Sequence, residues 1–169
     1  MAITMYDLII PSFLQGFGVL SKYLDKAAAF ANEKGLKPAD LIEARLAPDM
    51  FTFAGQIQRA SDKAKAGIGR LTDIEIPTFA DTETTFDELK ARVAKTVAFV
   101  QGVNPKKLDG SETRTVDFKT RTFNATVPGE VYLMSILLPD FWFHVTTAHD
   151  ILRNRGVQIG KVDYLGRNN

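Results

Sequence analysis

The stretch from Met50 to Leu71, MFTFAGQIQRASDKAKAGIGRL, decides the fold. Met50, Ala54, Ile57, Ser61, Ala64, Ile68 and Leu71 recur at steps of four and three, which puts them on one stripe of an α-helix. Most of the stripe is small, so a second helix can approach it closely. Neither a strand nor an isolated surface helix needs such a seam, and the pattern predicts one member of a helical bundle, over residues 49–71.

Working outward, the same period appears three more times. Ile9, Phe13, Phe17, Leu20, Leu24, Ala27 and Ala31 mark a helix over residues 5–34, stopped by Gly35 after Lys34. Pro11 either starts this helix or kinks a slightly earlier start. Lys37-Pro38-Ala39-Asp40 opens a short segment of one or two turns. Residues 74–82 carry Pro77 and read as a connection. Thr85 followed three residues later by Glu88 has capping-box spacing, and Phe86, Leu89, Val93, Val97 and Val100 continue it as a helix over 85–102. Pro139-Asp140 reads as the start of a last helix over 139–155, with Phe141, Val145, Ala148 and Leu152 inward; the apolar run 132–138 before it is ambiguous. Between the third and fourth long helices the period changes to two. Val116 and Phe118, then Phe123, Ala125 and Val127, alternate with polar neighbours, and predict a β-hairpin over 113–127. The expected fold is therefore mostly α, a four-helix bundle with one small β-hairpin, forming a single domain over 1–169.

Composition limits the function classes. The chain has 169 residues, 45% hydrophobic and 24% charged, which suits one ordinary globular domain. It has no cysteine, which removes disulfides, thiolate ligands and Cys nucleophiles. The first residues lack a basic segment and carry Asp7 within their apolar run, unlike a secretory signal, and no stretch reaches the ~18 apolar residues of a membrane span. The expected location is the cytoplasm, away from a membrane. With 21 basic and 20 acidic side chains the net charge is +1, so a nucleic-acid partner is not expected. The nearest basic cluster, Arg59, Lys63, Lys65 and Arg70, reads as the solvated face of a helix.

The catalytic inventory is short. Gly67-Ile68-Gly69 lies inside a helical pattern, not after a strand, so it is no dinucleotide loop. The two histidines, His144 and His149, are five apart, about 140° around a helix, and cannot share a metal ion as an i, i+4 pair does. His149 reads as a surface residue. His144, next to Phe141 and Ala148, reads either as a paired histidine at the core edge or as a base or anchor in a pocket. On the 49–71 helix Gln56 lies on one flank of the seam, with Gln58 and Asp62 on the other. The candidate pocket is thus His144, Gln56 and Asp62, walled by Trp142 and Tyr132.

Pro48-Asp49-Met50-Phe51, Gln56-Ile57-Gln58, Asp62-Lys63-Ala64-Lys65, Leu138-Pro139-Asp140-Phe141-Trp142-Phe143-His144-Val145-Thr146-Thr147-Ala148 and Ile159-Gly160-Lys161 together resemble a family of uncharacterised bacterial proteins, a domain of unknown function, over nearly the whole chain. That family is similar to a branch of the DinB-like, or YfiT-like, superfamily. The resemblance implies a four-helix bundle, commonly a homodimer, and in characterised members metal-dependent hydrolases or thiol transferases. Their usual site takes one His from the second helix and two, four apart, from the last. Carried onto this chain, His144 matches the first of the last pair, position 148 is Ala148, and Gln56 is the nearest residue to the helix-two ligand. Two of three imidazoles are absent. No cofactor and no metal is therefore expected, and the leading expectation is a homodimeric small-molecule-binding or stress-associated module. The alternative is a hydrolase or thiol transferase built around His144.

Overall fold

The computed structural model describes residues 3–120 and 123–166. Its long helices are α1 (Met5–Lys34), α3 (Phe53–Leu71), α4 (Phe86–Gln101) and α6 (Leu138–Asn154). Short helices α2 (Ala39–Ile42), α5 (Gly129–Tyr132) and α7 (Lys161–Tyr164) lie between or after them, and β1 (Thr115–Lys119) pairs antiparallel with β2 (Asn124–Pro128). The long helices form a ring in which α1 packs on α4, α4 on α3, α3 on α6, and α6 back on α1.

The helix ends follow from side-chain chemistry. Thr4 accepts from the Asp7 N–H while Asp7 accepts from the Thr4 N–H, and Thr85 and Glu88 do the same for α4. Each box satisfies two N–H groups that a helix start leaves without partners. Thr52 caps α3 through the Gly55 N–H, so that helix begins at Phe53 rather than at 49. Gly35, at φ 62°, ends α1, with the Leu36 N–H returning to the Ala31 carbonyl. Pro11 lies inside α1, one and a half turns from its start.

The hairpin lies where the alternation predicted it. Val116 pairs with Val127 and Phe118 with Ala125. Val116 and Phe118 are buried, whereas Phe123 is exposed, so the alternation holds inward on β1 and is only half-buried on β2. The hairpin tip at positions 121 and 122 lies outside the described residues.

One expectation is corrected. Pro139 does not start the last helix. Residues 129–154 run as one continuous helix: α5, a π-helical turn over Leu133–Leu137, then α6. A proline within an α-helix removes a hydrogen bond and crowds the carbonyl four residues back. The wider π turn immediately before Pro139 takes up that conflict. It also fits the packing, because Leu137 presses on α3 at Gly67, where an added Cβ would lie 2.4 Å from the Leu137 Cδ2. At the other end, Gly129 admits the backbone of the 108–112 loop: a Cβ there would sit 1.9 Å from the Ser111 carbonyl oxygen. Gly129→Ala should therefore destabilise the protein by about 1–3 kcal/mol, the usual cost of overpacking. Urea denaturation would test this, and an unchanged midpoint would count against the contact.

Candidate functional site

His144 lies on the face of α6 that meets α3 and is only 6% exposed. Gln56, in the first turn of α3, donates its Nε2 to the Phe51 carbonyl at 3.2 Å. That bond fixes the amide, so its Oε1, 2.7 Å from His144 Nδ1, is an acceptor. Nδ1 must then donate. The other ring nitrogen, Nε2, is 3.3 Å from Asp140 Oδ1, one helical turn back, and Asp140 Oδ2 is 2.7 Å from Lys63 Nζ on α3. Both ring nitrogens thus face oxygen acceptors. Burial pushes the Asp140 carboxyl up, but hydrogen bonds from His144 and Lys63 and their charges outweigh it, and the carboxyl lies below its ordinary value. Phe51 and Phe143, each 55% exposed, flank the imidazole edge-on.

The other sequence candidates are not brought to this point. Trp142 turns toward α1, donating Nε1 to Ser12 Oγ at 3.0 Å and packing between Phe141 and Tyr164. Tyr132 is buried under the hairpin against Phe118; its hydroxyl accepts from Arg70 at 3.2 Å. Asp62, on the opposite flank of α3 from Gln56, joins a separate charge cluster. Only His144 and Gln56 of the five meet. His149 is not a plain surface residue either. It is half-buried, with Nδ1 2.7 Å from the hydroxyl of the fully buried Tyr23. Burial, with the nearby Asp163, Tyr164 and Asp150, pushes that phenol far above its usual range, so Tyr23 keeps its proton in its hydrogen bond with His149.

The Asp62 cluster went unrecognised in the sequence. Arg92 of α4, 2% exposed, is held by Asp62 at 3.1 Å, Asp81 at 2.9 Å and Glu83 at 2.9 Å, and donates to the Ala80 carbonyl at 3.0 Å. Lys65, 4% exposed, bonds Asp62 and the Pro77 carbonyl and stands 4.0 Å over the Phe79 ring. Arg59 bonds Asp62 and Asp81. Gln58 donates to Glu83, whose carboxyl is raised by burial and lowered further by Arg92 and Gln58. Arg59 and Lys65 are therefore not a solvated basic face: with Arg92 they strap the 74–84 connection across α3 and α4. Arg92 could have been found by position, since it falls three after Leu89 and four before Thr96, on the buried stripe of α4.

The arrangement does not suit a three-imidazole metal site. Gln56 spends its oxygen on His144 and its nitrogen on the chain, His144 Nδ1 is held by Gln56, Ala148 has no donor, and His149 faces Tyr23. Among the described residues no three His, Cys, Asp or Glu side chains converge as metal ligands. No helix of the described residues is long and apolar enough to cross a membrane.

This ring of four helices with a hairpin between the third and the last defines a DinB-like bundle. A crystal structure of a DinB family member protein from Shewanella denitrificans superposes with a TM-score of 0.88 at 34% identity, covering 97% of this chain and 93% of that one. The family model described as domain of unknown function DUF1993 matches residues 5–165, and the chain belongs to that family. No curated protein matches the sequence significantly.

The low Asp140 value has a consequence for stability with a definite sign. Its contribution is complete above the ordinary aspartate pKa of 3.8 and is lost as pH falls through the lower folded value. Asp140→Asn should therefore destabilise the protein at pH 7, and the gap between variant and parent should close on acidification below the ordinary value. Urea denaturation at both pH values would show it; a gap that stayed constant would remove the Asp140 link.

Proposed function

We propose that this chain is a DinB-like bundle that has given up the metal chemistry of its superfamily and works as a homodimeric small-molecule-binding module, a single domain acting in the cytoplasm. One observation carries the reading: His144 Nδ1 donates to Gln56 Oε1, its Nε2 faces Asp140 Oδ1 at 3.3 Å, and among the described residues no three His, Cys, Asp or Glu side chains converge there. A zinc site usually needs three protein ligands. Here the positions matching the other two hold Gln56 and Ala148. The hydrolase or thiol-transferase alternative asks His144 to present Nε2 to a substrate, and here Nε2 is turned to the Asp140 carboxylate.

The His144 chain fits a role in holding α6 to α3. A buried polar group without a partner is costly, and Gln56 supplies an acceptor to the buried Nδ1 at this contact. For the dimer, support comes from the resemblance to commonly dimeric proteins and from apolar side chains left outside the core, among them Phe51 and Phe143.

Two measurements test the proposal. Elemental analysis of protein purified without a polyhistidine tag should find zinc and nickel far below one per chain, in the parent and in His144→Ala alike. Near-stoichiometric metal that disappears in the variant would overturn the reading. His144→Ala should cost about 1–3 kcal/mol of stability by orphaning Gln56 and Asp140. Light scattering should give twice the 18.7 kDa chain mass at micromolar concentration; a constant single-chain mass would remove the dimer.

A further inference from the structure

A second feature lies at the far end of the bundle and shares no residue with the His144 chain. A cavity of about 600 Å³ opens between the start of α1, the 108–112 loop and the helix that begins at Gly129. Its size falls in the ~300–1,000 Å³ range of small-molecule sites. Met5, Leu8, Leu108 and Met134 give it an apolar lining, and Ile3 and Met134 remain exposed at its mouth.

The walls are firmly built. Ser111 is buried and donates its hydroxyl to the Leu108 carbonyl at 2.7 Å. The Glu130 N–H reaches the Glu112 carbonyl at 3.0 Å, tying the loop to the helix. Gly129 lets the loop backbone approach to a distance that no side-chain-bearing residue would allow. The cavity thus belongs to the fold and is not a gap between loosely placed segments.

Its charge is one-sided. Asp109, Glu112 and Glu130 line it, and no Lys, Arg or His does. Among the described residues these three carboxylates form no ion pair. Elsewhere the acids beside cations are paired: Asp25 with Lys90, Asp73 with Arg114, Asp163 with Lys26. Nor does the start of α1 use them, since Asp7 already completes its capping box. Lys106 and Lys107, in the preceding turn, are not part of the lining. An apolar cavity whose lining carries three exposed, unpaired carboxylates and no cation complements one kind of occupant. We propose that it binds an organic ammonium ion carrying an apolar chain or ring, with the apolar body against Leu8, Leu108 and Met134 and the cation toward the carboxylates of the lining.

The test is calorimetric titration of the full chain with octylammonium, with 1-octanol and octanoate as neutral and anionic partners of equal length. Octylammonium should bind saturably at one site and more weakly as salt is raised, 1-octanol should bind several-fold more weakly, and octanoate should not bind. Glu112→Gln and Glu130→Gln, whose side chains hold no structural bond, should each weaken octylammonium roughly two- to fivefold, the usual range for one exposed charge pair. Met134→Lys, at an exposed position, should abolish binding while the melting temperature is kept. Equal binding of octylammonium and 1-octanol, no saturable binding, or Gln variants that lose stability but keep affinity would each overturn the proposal. Because neither metal nor His144 enters, its failure would leave the reading of the His144 chain standing, and the reverse.

Discussion

The bundle depends on one constraint, the register of the helix that contains Pro139. Leu133, Leu137, Phe141, Val145, Ala148 and Leu152 are all buried. From Leu133 to Leu152 the chain advances nineteen residues in five turns, where an α-helix uses about eighteen. Over a plain α-helix the buried stripe would have drifted by about 100°, moving either its first or its last members out of the core. The π turn over Leu133–Leu137 absorbs the extra residue, and Pro139, which offers no N–H, sits just beyond it. With the stripe held, Tyr132 reaches Arg70 and the hairpin at one end, and His144 reaches Gln56 lower down.

Helix α3 then takes two different polar loads on its two flanks. Toward α6 it presents Gln56 and Lys63, which close the chain through His144 and Asp140. Toward α4 it presents Gln58, Arg59, Asp62 and Lys65, which meet Arg92, Asp81 and Glu83. Between the flanks the contact is small and apolar, apart from one buried pair in which Ser61 donates to Thr96 and Thr96 to the Arg92 carbonyl. Taking charges out of water is costly, and an ion cluster that is only partly exposed is weak evidence of stability. What these clusters supply is position. Arg92 has one geometry that satisfies Asp62, Asp81, Glu83 and the Ala80 carbonyl together, and that geometry fixes a connection with no regular structure of its own.

The parts of this architecture that were legible in the sequence are those governed by local rules. The three-four spacing located the long helices, Thr85 with Glu88 located a cap, and the alternation around Phe118 located the hairpin. The last helix was misread because Pro139-Asp140 carries the same local signature as a helix start, and only the spacing of Leu133, Leu137 and Phe141 across the proline tells against it. The site was legible by half. His144 and Gln56 were drawn out by their places on their helices, and they do meet. Trp142 was assigned to the same wall although its place directly beside Phe141 turns it toward α1, while Tyr132 lies beyond the π turn, which no α-helical wheel crosses correctly. Lys65 and Arg59 looked solvated because their partners come from 74–84, a stretch whose course over the helix no sequence period encodes.

Position 148 ties the packing to the chemistry. Ala148 is fully buried on the α6 stripe, and the buried residues of α3 include Ala54, Ala60, Ala64 and Gly67. Small residues on both helices let them lie close. An imidazole at 148 would have to be accommodated in that contact, with its ring nitrogens either on a metal ion or on hydrogen-bond partners the contact does not offer, since a buried polar group must be paired. With alanine there the two helices close on apolar contact, and the histidine one turn earlier is left with two free nitrogens in a place solvent barely reaches. Gln56 and Asp140 supply the two acceptors. Alanine at 148 and glutamine at 56 are poor substitutes for the imidazoles of a three-histidine site, and Gln56 with Asp140 places an oxygen acceptor beside each nitrogen of His144. One bundle can carry different groups at these positions, which is why the bundle alone does not fix what a DinB-like protein does.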